Sequence, residues 1–173
     1  MRLREIDKTR YRKTLRVIIT GMIAALMILS LSVSTLLIRL FSTPQAPHFW
    51  FNLAGVAAAA LSIIIALLKF RTHPFMTEVA YVWDLKQQLN RIYRKQRKIE
   101  ADVENDDHNA MIIMRFMYRG SKQLYELDDN TITMEGLNNK IKLLDKRMAA
   151  AGLDLSTDSY RPAMLDQFQT PVI

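Results

Sequence analysis

Two long apolar runs without a charged residue, at positions 17–38 and 49–68, dominate the hydrophobic pattern of the chain; they hold 22 and 20 residues. At ~1.5 Å per residue the first reaches about 33 Å, enough to cross a hydrocarbon core of ~30 Å. The runs predict a two-helix transmembrane hairpin with an external loop at 39–48, where Pro44 and Pro47 keep the connection short and turned. A cleaved signal peptide is excluded for the first run. Its apolar region is too long, and the run ends in Thr-Leu-Leu-Ile-Arg-Leu-Phe instead of a small-x-small cleavage site. Gly55, Ala59, Ser62 and Ala66 form a small-residue stripe on the second helix, and Gly21 and Ala25, with Ser32 beyond, start one on the first. Such stripes predict close packing of the two helices where lipid supplies no hydrophobic drive.

Beyond the hairpin the period changes. His73 and Pro74 interrupt the second helix, and proline at a first helical position restarts one. Over residues 74–104 apolar positions recur in steps of three and four: Val82, Leu85, Leu89, Ile92, then Ile99 and Val103, with Gln96 as the exception. That is the seam of a coiled coil or bundle helix. Asp106 or Asp107 caps the next helix, which carries two adjacent seams. One is Ala110, Ile113, Met117, Gly120, Leu124 and Leu127; beside it run Met111, Met114, Tyr118, Ser121 and Tyr125. Two seams imply burial on two sides. A further helix at 134–151 repeats Met134, Leu137, Ile141, Leu144, Met148 and Ala151, and Gly152 with Leu153 is a stop signal. The expected fold is therefore all-α: a basic arm at 1–16, the hairpin at 17–68, an antiparallel three-helix bundle at 69–152, and a mobile tail at 153–173. Within that tail Met164, Leu165 and Phe168 suggest a short docking motif.

Charge sharpens this division. The formal net charge is +7, distributed as +5 over residues 1–16, +1 in the loop, +6 over 69–99 and −5 over 100–173. Basic residues flank the runs on one side, through Arg10, Arg12, Lys13 and Arg16 before the first and Lys69 and Arg71 after the second. The positive-inside rule then places both termini in the cytoplasm. The chain has no cysteine, which excludes disulfides and thiolate metal sites and fits a reducing compartment. Neither run contains an ionisable residue, so a proton relay or translocation pathway has no support.

Arg91, Arg94 and Lys98, with Lys95 and Arg97 beside them, line up as a basic stripe on the helix at 74–104. A solvated face, an upright helix that holds the stripe away from lipid, and a helix lying flat on a membrane surface are all compatible with it. Phosphate neutralisation would make it a nucleic-acid or anionic-lipid tether.

Catalytic and metal chemistry finds no pattern. Counting from Asp128, a calcium loop would need an oxygen ligand, a glycine and a glutamate where Ile132, Thr133 and Asn139 stand. His48, His73 and His108 lie in separate segments without ligand or nucleophile spacing. No cofactor and no catalytic residues are expected, and the chain reads as a non-enzyme.

The block His73-Pro74-Phe75-Met76-Thr77-Glu78-Val79-Ala80-Tyr81-Val82-Trp83-Asp84-Leu85-Lys86, with 90–95 (Asn-Arg-Ile-Tyr-Arg-Lys) and 125–131 (Tyr-Glu-Leu-Asp-Asp-Asn-Thr), resembles a family of small two-pass bacterial inner-membrane proteins. That family is catalogued as a domain of unknown function, and the resemblance runs from the basic arm to about Gly152. It implies a bacterial inner-membrane location and transfers no catalytic residues. The expected role is a membrane-anchored interaction protein: an adaptor, an accessory subunit or a self-associating scaffold. Its expected partners are the lipid bilayer and a second copy or another protein; a tether for nucleic acid or anionic lipid is the alternative.

Overall fold

The computed structural model describes residues 2–43 and 47–168; Pro44 of the loop and Pro171 of the tail lie outside the described residues. Among the described residues all regular structure is helical: α1 Lys8–Phe41, α2 Phe49–Phe70, α3 Thr77–Tyr93, α4 Gln96–Glu104, α5 His108–Leu127 and α6 Met134–Ala150. Short 3-10 segments lie at Pro74–Met76, Thr157–Ser159 and Pro162–Phe168. The chain forms two compact units, one of residues 7–80 and one of residues 1–6 with 81–173.

In the first unit α1 and α2 form a hairpin, and both are long and apolar enough to cross a membrane. The helix α1 begins well before the apolar run. Asp7 caps it by accepting from the Arg10 N–H at 3.0 Å, so the basic residues at 8–16 are helical and continuous with the run. Its 34 residues span about 51 Å. Apolar side chains face outward along both helices, as with Ile28 at 65% exposure and Leu61 at 60%. After α2, His73 Nδ1 accepts from the Phe75 N–H at 3.2 Å, and Pro74 opens the 3-10 turn that leads into α3.

At Gly55 the helices α1 and α2 approach too closely to admit a Cβ. A Cβ there would run into Ser34 Oγ and lie 2.8 Å from the Ser30 carbonyl oxygen and 2.9 Å from the Ser34 nitrogen. The last two are backbone atoms, so the helices would have to separate. Gly55→Val is expected to destabilise the hairpin by about 1–3 kcal/mol, the usual range for overpacking. Gly21→Ala, with nothing within 4 Å of the added Cβ, serves as its control. Thermal unfolding in detergent should show a lowered midpoint for the first variant alone.

The second unit is built around α5, which is buried on more sides than its two seams suggest. Ala110, Met111, Ile113, Met114, Phe116, Met117 and Gly120 are all buried. Gly120 lets α3 approach, for its missing Cβ would sit 3.1 Å from a Leu89 methyl and 3.2 Å from one of Leu85. Val82, Leu85, Leu89, Ile92, Ile99 and Val103 are buried as the seam requires, and so are Ile141, Leu144 and Met148 of α6. Ala151 is exposed. It stands outside α6 as its C-cap, and Gly152 follows at φ +67°. The N–H of Gly152 then reaches the Ala149 carbonyl at 3.1 Å and that of Leu153 the Met148 carbonyl at 2.9 Å, a Schellman ending.

Three features differ from expectation. The helix over 74–104 is divided at residues 94–95 into α3 and α4, with Lys95 at φ −111°, ψ 4°. The tail is packed as far as it is described: Tyr160, Leu165 and Phe168 are buried, because their side chains complete the core beside α5. Residues 2–6 also belong to this unit. Leu3 packs on its core, and the Arg4 N–H donates to the Tyr81 hydroxyl at 2.9 Å while the Gln123 amide donates to the Arg4 carbonyl.

Candidate interaction surfaces

The basic stripe is not straight. At the break between α3 and α4, Arg94, Lys95, Arg97 and Lys98 gather with Tyr93 around a concavity of 700 Å³. Arg91, Arg94, Arg97 and Lys98 are exposed, and Lys95 is half-buried. The ammonium of Lys95 donates to the Leu165 carbonyl at 2.7 Å, so it fastens the tail rather than facing solvent. Beneath the same helix Gln88 donates to the Tyr160 hydroxyl. Burial pushes that hydroxyl up to about 12, against the opposing effects of the Gln88 hydrogen bond and the Arg91 charge.

A second surface lies where α4 and α6 flank α5. Val103, Met114, Tyr118 and Leu144 floor a groove of 820 Å³, and the exposed Ala101 and Leu143 line it on the α4 and α6 sides. Glu100 and Glu104 form its α4 rim, and Lys140, Lys146 and Arg147 its α6 rim. Lys140 Nζ stands 6.0 Å from the Tyr118 ring centroid. Burial, and then the Glu100 carboxylate, push the Tyr118 hydroxyl up to about 12. At the other end Arg147 bonds Glu104 at 3.0 Å and pairs with Asp106 at 3.5 Å. Leu143 stands 74% exposed on the basic rim. The sequence held a signal for it: Leu143 lies next to Leu144 but off the seam of α6, an apolar residue with no role in the core.

Between α5 and α6, Asp145 accepts from Arg115 and, at 3.0 Å, from Arg119. Arg115 is only 5% exposed. Burial and the neighbouring Arg119 charge hold its pKa below the usual guanidinium value. The Nε atoms of Arg115 and Arg119 are buried without a hydrogen-bond partner.

The small residues of the hairpin divide into two groups. Gly55 and Ala59 are buried against α1, whereas Ser62 and Ala66 are exposed. Ser62 turns its hydroxyl back to the Ala58 carbonyl at 2.8 Å. The contact face runs in steps of four through Phe51, Gly55, Ala59, Ile63 and Leu67, which follows a ridge of residues four apart. Gly21, Ala25 and Ala66 do come together, but around an apolar slot of 270 Å³ and not in close contact. Among the described residues no group of three or more histidine, cysteine, aspartate or glutamate side chains is placed to hold a metal ion.

No curated protein and no solved structure shows significant similarity to the chain. A family profile described as "Protein of unknown function (DUF3087)" matches residues 1–165, and with nearly the whole chain covered the protein belongs to that family.

Proposed function

We propose that the protein is a membrane-anchored, non-catalytic interaction protein that presents a helical unit on the cytoplasmic side of a bacterial inner membrane. Two apolar helices whose outward side chains have no protein to cover them call for lipid as their solvent. Two crossings return the chain to the side it started from. The packing of residues 2–6 with 81–168 supports that topology, since Arg4 can meet Tyr81 and Gln123 only if both lie on one side. The basic ends of α1 and α2 favour the cytoplasm as that side.

The observation that carries the interaction reading is the groove over Tyr118, with its apolar floor, exposed Leu143 and charged rims. That combination is the anatomy of a docking surface: an apolar centre inside a polar margin. Native mass spectrometry of the full chain, extracted gently in detergent, tests it. A mass at a multiple of 20.0 kDa, or one that requires another polypeptide, supports the reading. A bare monomer overturns it.

The gathered cations at the break favour a second reading, in which Arg91, Arg94, Arg97 and Lys98 hold polyanions such as nucleic acid or anionic lipid headgroups. Changing these four to glutamine should then abolish salt-sensitive retention of DNA, RNA or anionic vesicles. Equal retention by the variant counts against it.

A further inference from the structure

We infer that the groove over Tyr118 is occupied by the same groove of a second copy of this chain, the two related by a two-fold axis running along the groove; this rests on the interaction reading above and names its partner. The order of charge across the groove selects that partner. Lys140 stands over the Tyr118 ring and Glu100 acts on the hydroxyl of the same residue, so these two lie at one level, on opposite rims. Glu104 and Arg147 meet at the other end. The α4 rim is thus acidic and the α6 rim basic at both levels.

Such a surface is complementary to itself in one orientation. An isologous pair repeats each contact twice, with residue i of one copy on j of the other and j on i. A two-fold axis along the groove lays α4 of each copy over α6 of the other at an unchanged level. Glu100 then faces Lys140 of the second copy, and Glu104 faces Lys146. An axis across the groove would instead lay α4 on α4, acid on acid, and like charges in opposition exclude that pairing. The favoured arrangement also covers the one large apolar side chain on the rims. Leu143, on the basic rim, crosses to the acidic rim of the other copy, where the exposed Ala101 is small enough to receive it.

The other concave surfaces lack this property. The concavity at the helix break is cationic and would repel its own copy, and the slot beside Gly21 has no charge to set an orientation.

Sedimentation velocity of the full-length protein in detergent tests the inference. The wild type should sediment as a dimer. Leu143→Glu should raise the dissociation constant by at least ~10-fold, since it places a carboxylate against the acidic rim of the other copy. Glu100→Lys and Lys140→Glu should each be monomeric alone, because each creates two like-charge pairs. Mixed in equal amounts they should recover a dimer containing one of each, because both crossed pairs are again opposite in sign. A dimer indifferent to all three substitutions overturns the inference and leaves the interaction reading standing. A mixture that stays monomeric overturns it as well. A wild type that is monomeric, with no co-purifying polypeptide, removes both.

Discussion

Replacing Tyr160 by alanine is expected to cost the unit of residues 2–6 and 81–168 about 3–5 kcal/mol, the range found when a buried aromatic ring is truncated. The ring is 1% exposed and stacks on Phe116 with centroids 4.1 Å apart and planes at 17°. Removing it opens a cavity against α5 and strips the buried Gln88 amide of its acceptor. Tyr160→Phe separates the two effects, for it keeps the ring and loses only the acceptor, at about 1–3 kcal/mol. Urea unfolding of the full chain in detergent measures both. A change below ~0.5 kcal/mol for the alanine variant, the range of an exposed substitution, would mean that the tail is not held. The hydroxyl adds a pH signature. Its pKa in the fold is raised to about 12 from 10.0, so its contribution to stability is complete below pH 10 and is lost as pH rises through 12. Tyr160→Phe should flatten that alkaline decline.

This anchoring was not legible in the sequence because it has no period. Tyr160, Leu165 and Phe168 are spaced by five and three on 3-10 turns and irregular chain, and what buries them is Gln88, Lys95 and Phe116, all more than 40 residues earlier. Periodicity sees only the residues a helix turns toward one side. It therefore located the seams of α3 and α4, and that of α6 apart from the exposed Ala151, and marked α5 as buried on two sides. It could not see the break at 94–95. Ile92 and Ile99 are seven residues apart, two full turns, so the seam continues across the break, and neither proline nor glycine marks it. The polar Gln96 inside the seam was the one trace, and its amide bonds Glu100 at 2.8 Å.

The same limit applies to the candidate surfaces. The apolar runs announced the hairpin, but the stripe drawn through Gly55, Ala59, Ser62 and Ala66 assumed alternating steps of three and four. The helices instead meet in steps of four, which leaves Ser62 outside the contact, sets Ala66 at the edge of the slot beside Gly21, and brings in Ile63 and Leu67. The choice between those ridges depends on how two helices cross, and that is a property of the pair. The groove over Tyr118 is also a property of three helices together, so Glu100, Lys140 and Leu143 had no local reason to stand out as a group.

Asp145→Ala is expected to destabilise the packing of α6 on α5 by about 1–3 kcal/mol, the range for leaving a part-buried charged group without its hydrogen-bond partner. Asp145 is the shared acceptor of Arg115 and Arg119, and without it two guanidinium groups are left side by side, one of them 5% exposed. Their Nε atoms already lack hydrogen-bond partners. Replacing the pair together, as Arg115→Met with Asp145→Leu, should recover most of the loss, because a buried ion pair exchanged for apolar side chains of similar volume is often neutral or stabilising. A double-mutant cycle by urea unfolding measures the coupling. A cost below ~1 kcal/mol for Asp145→Ala would mean that solvent screens the pair as it does an exposed one. Asp145 lies on α6 between Leu143 and Lys146 but is turned toward α5, so it sets where the basic rim of the groove stands. Loss of the clamp should therefore weaken self-association and stability together. Leu143→Glu acts on an exposed side chain, so it should weaken self-association alone. The two variants thus separate a contact made by the rim from the packing that holds the rim in place.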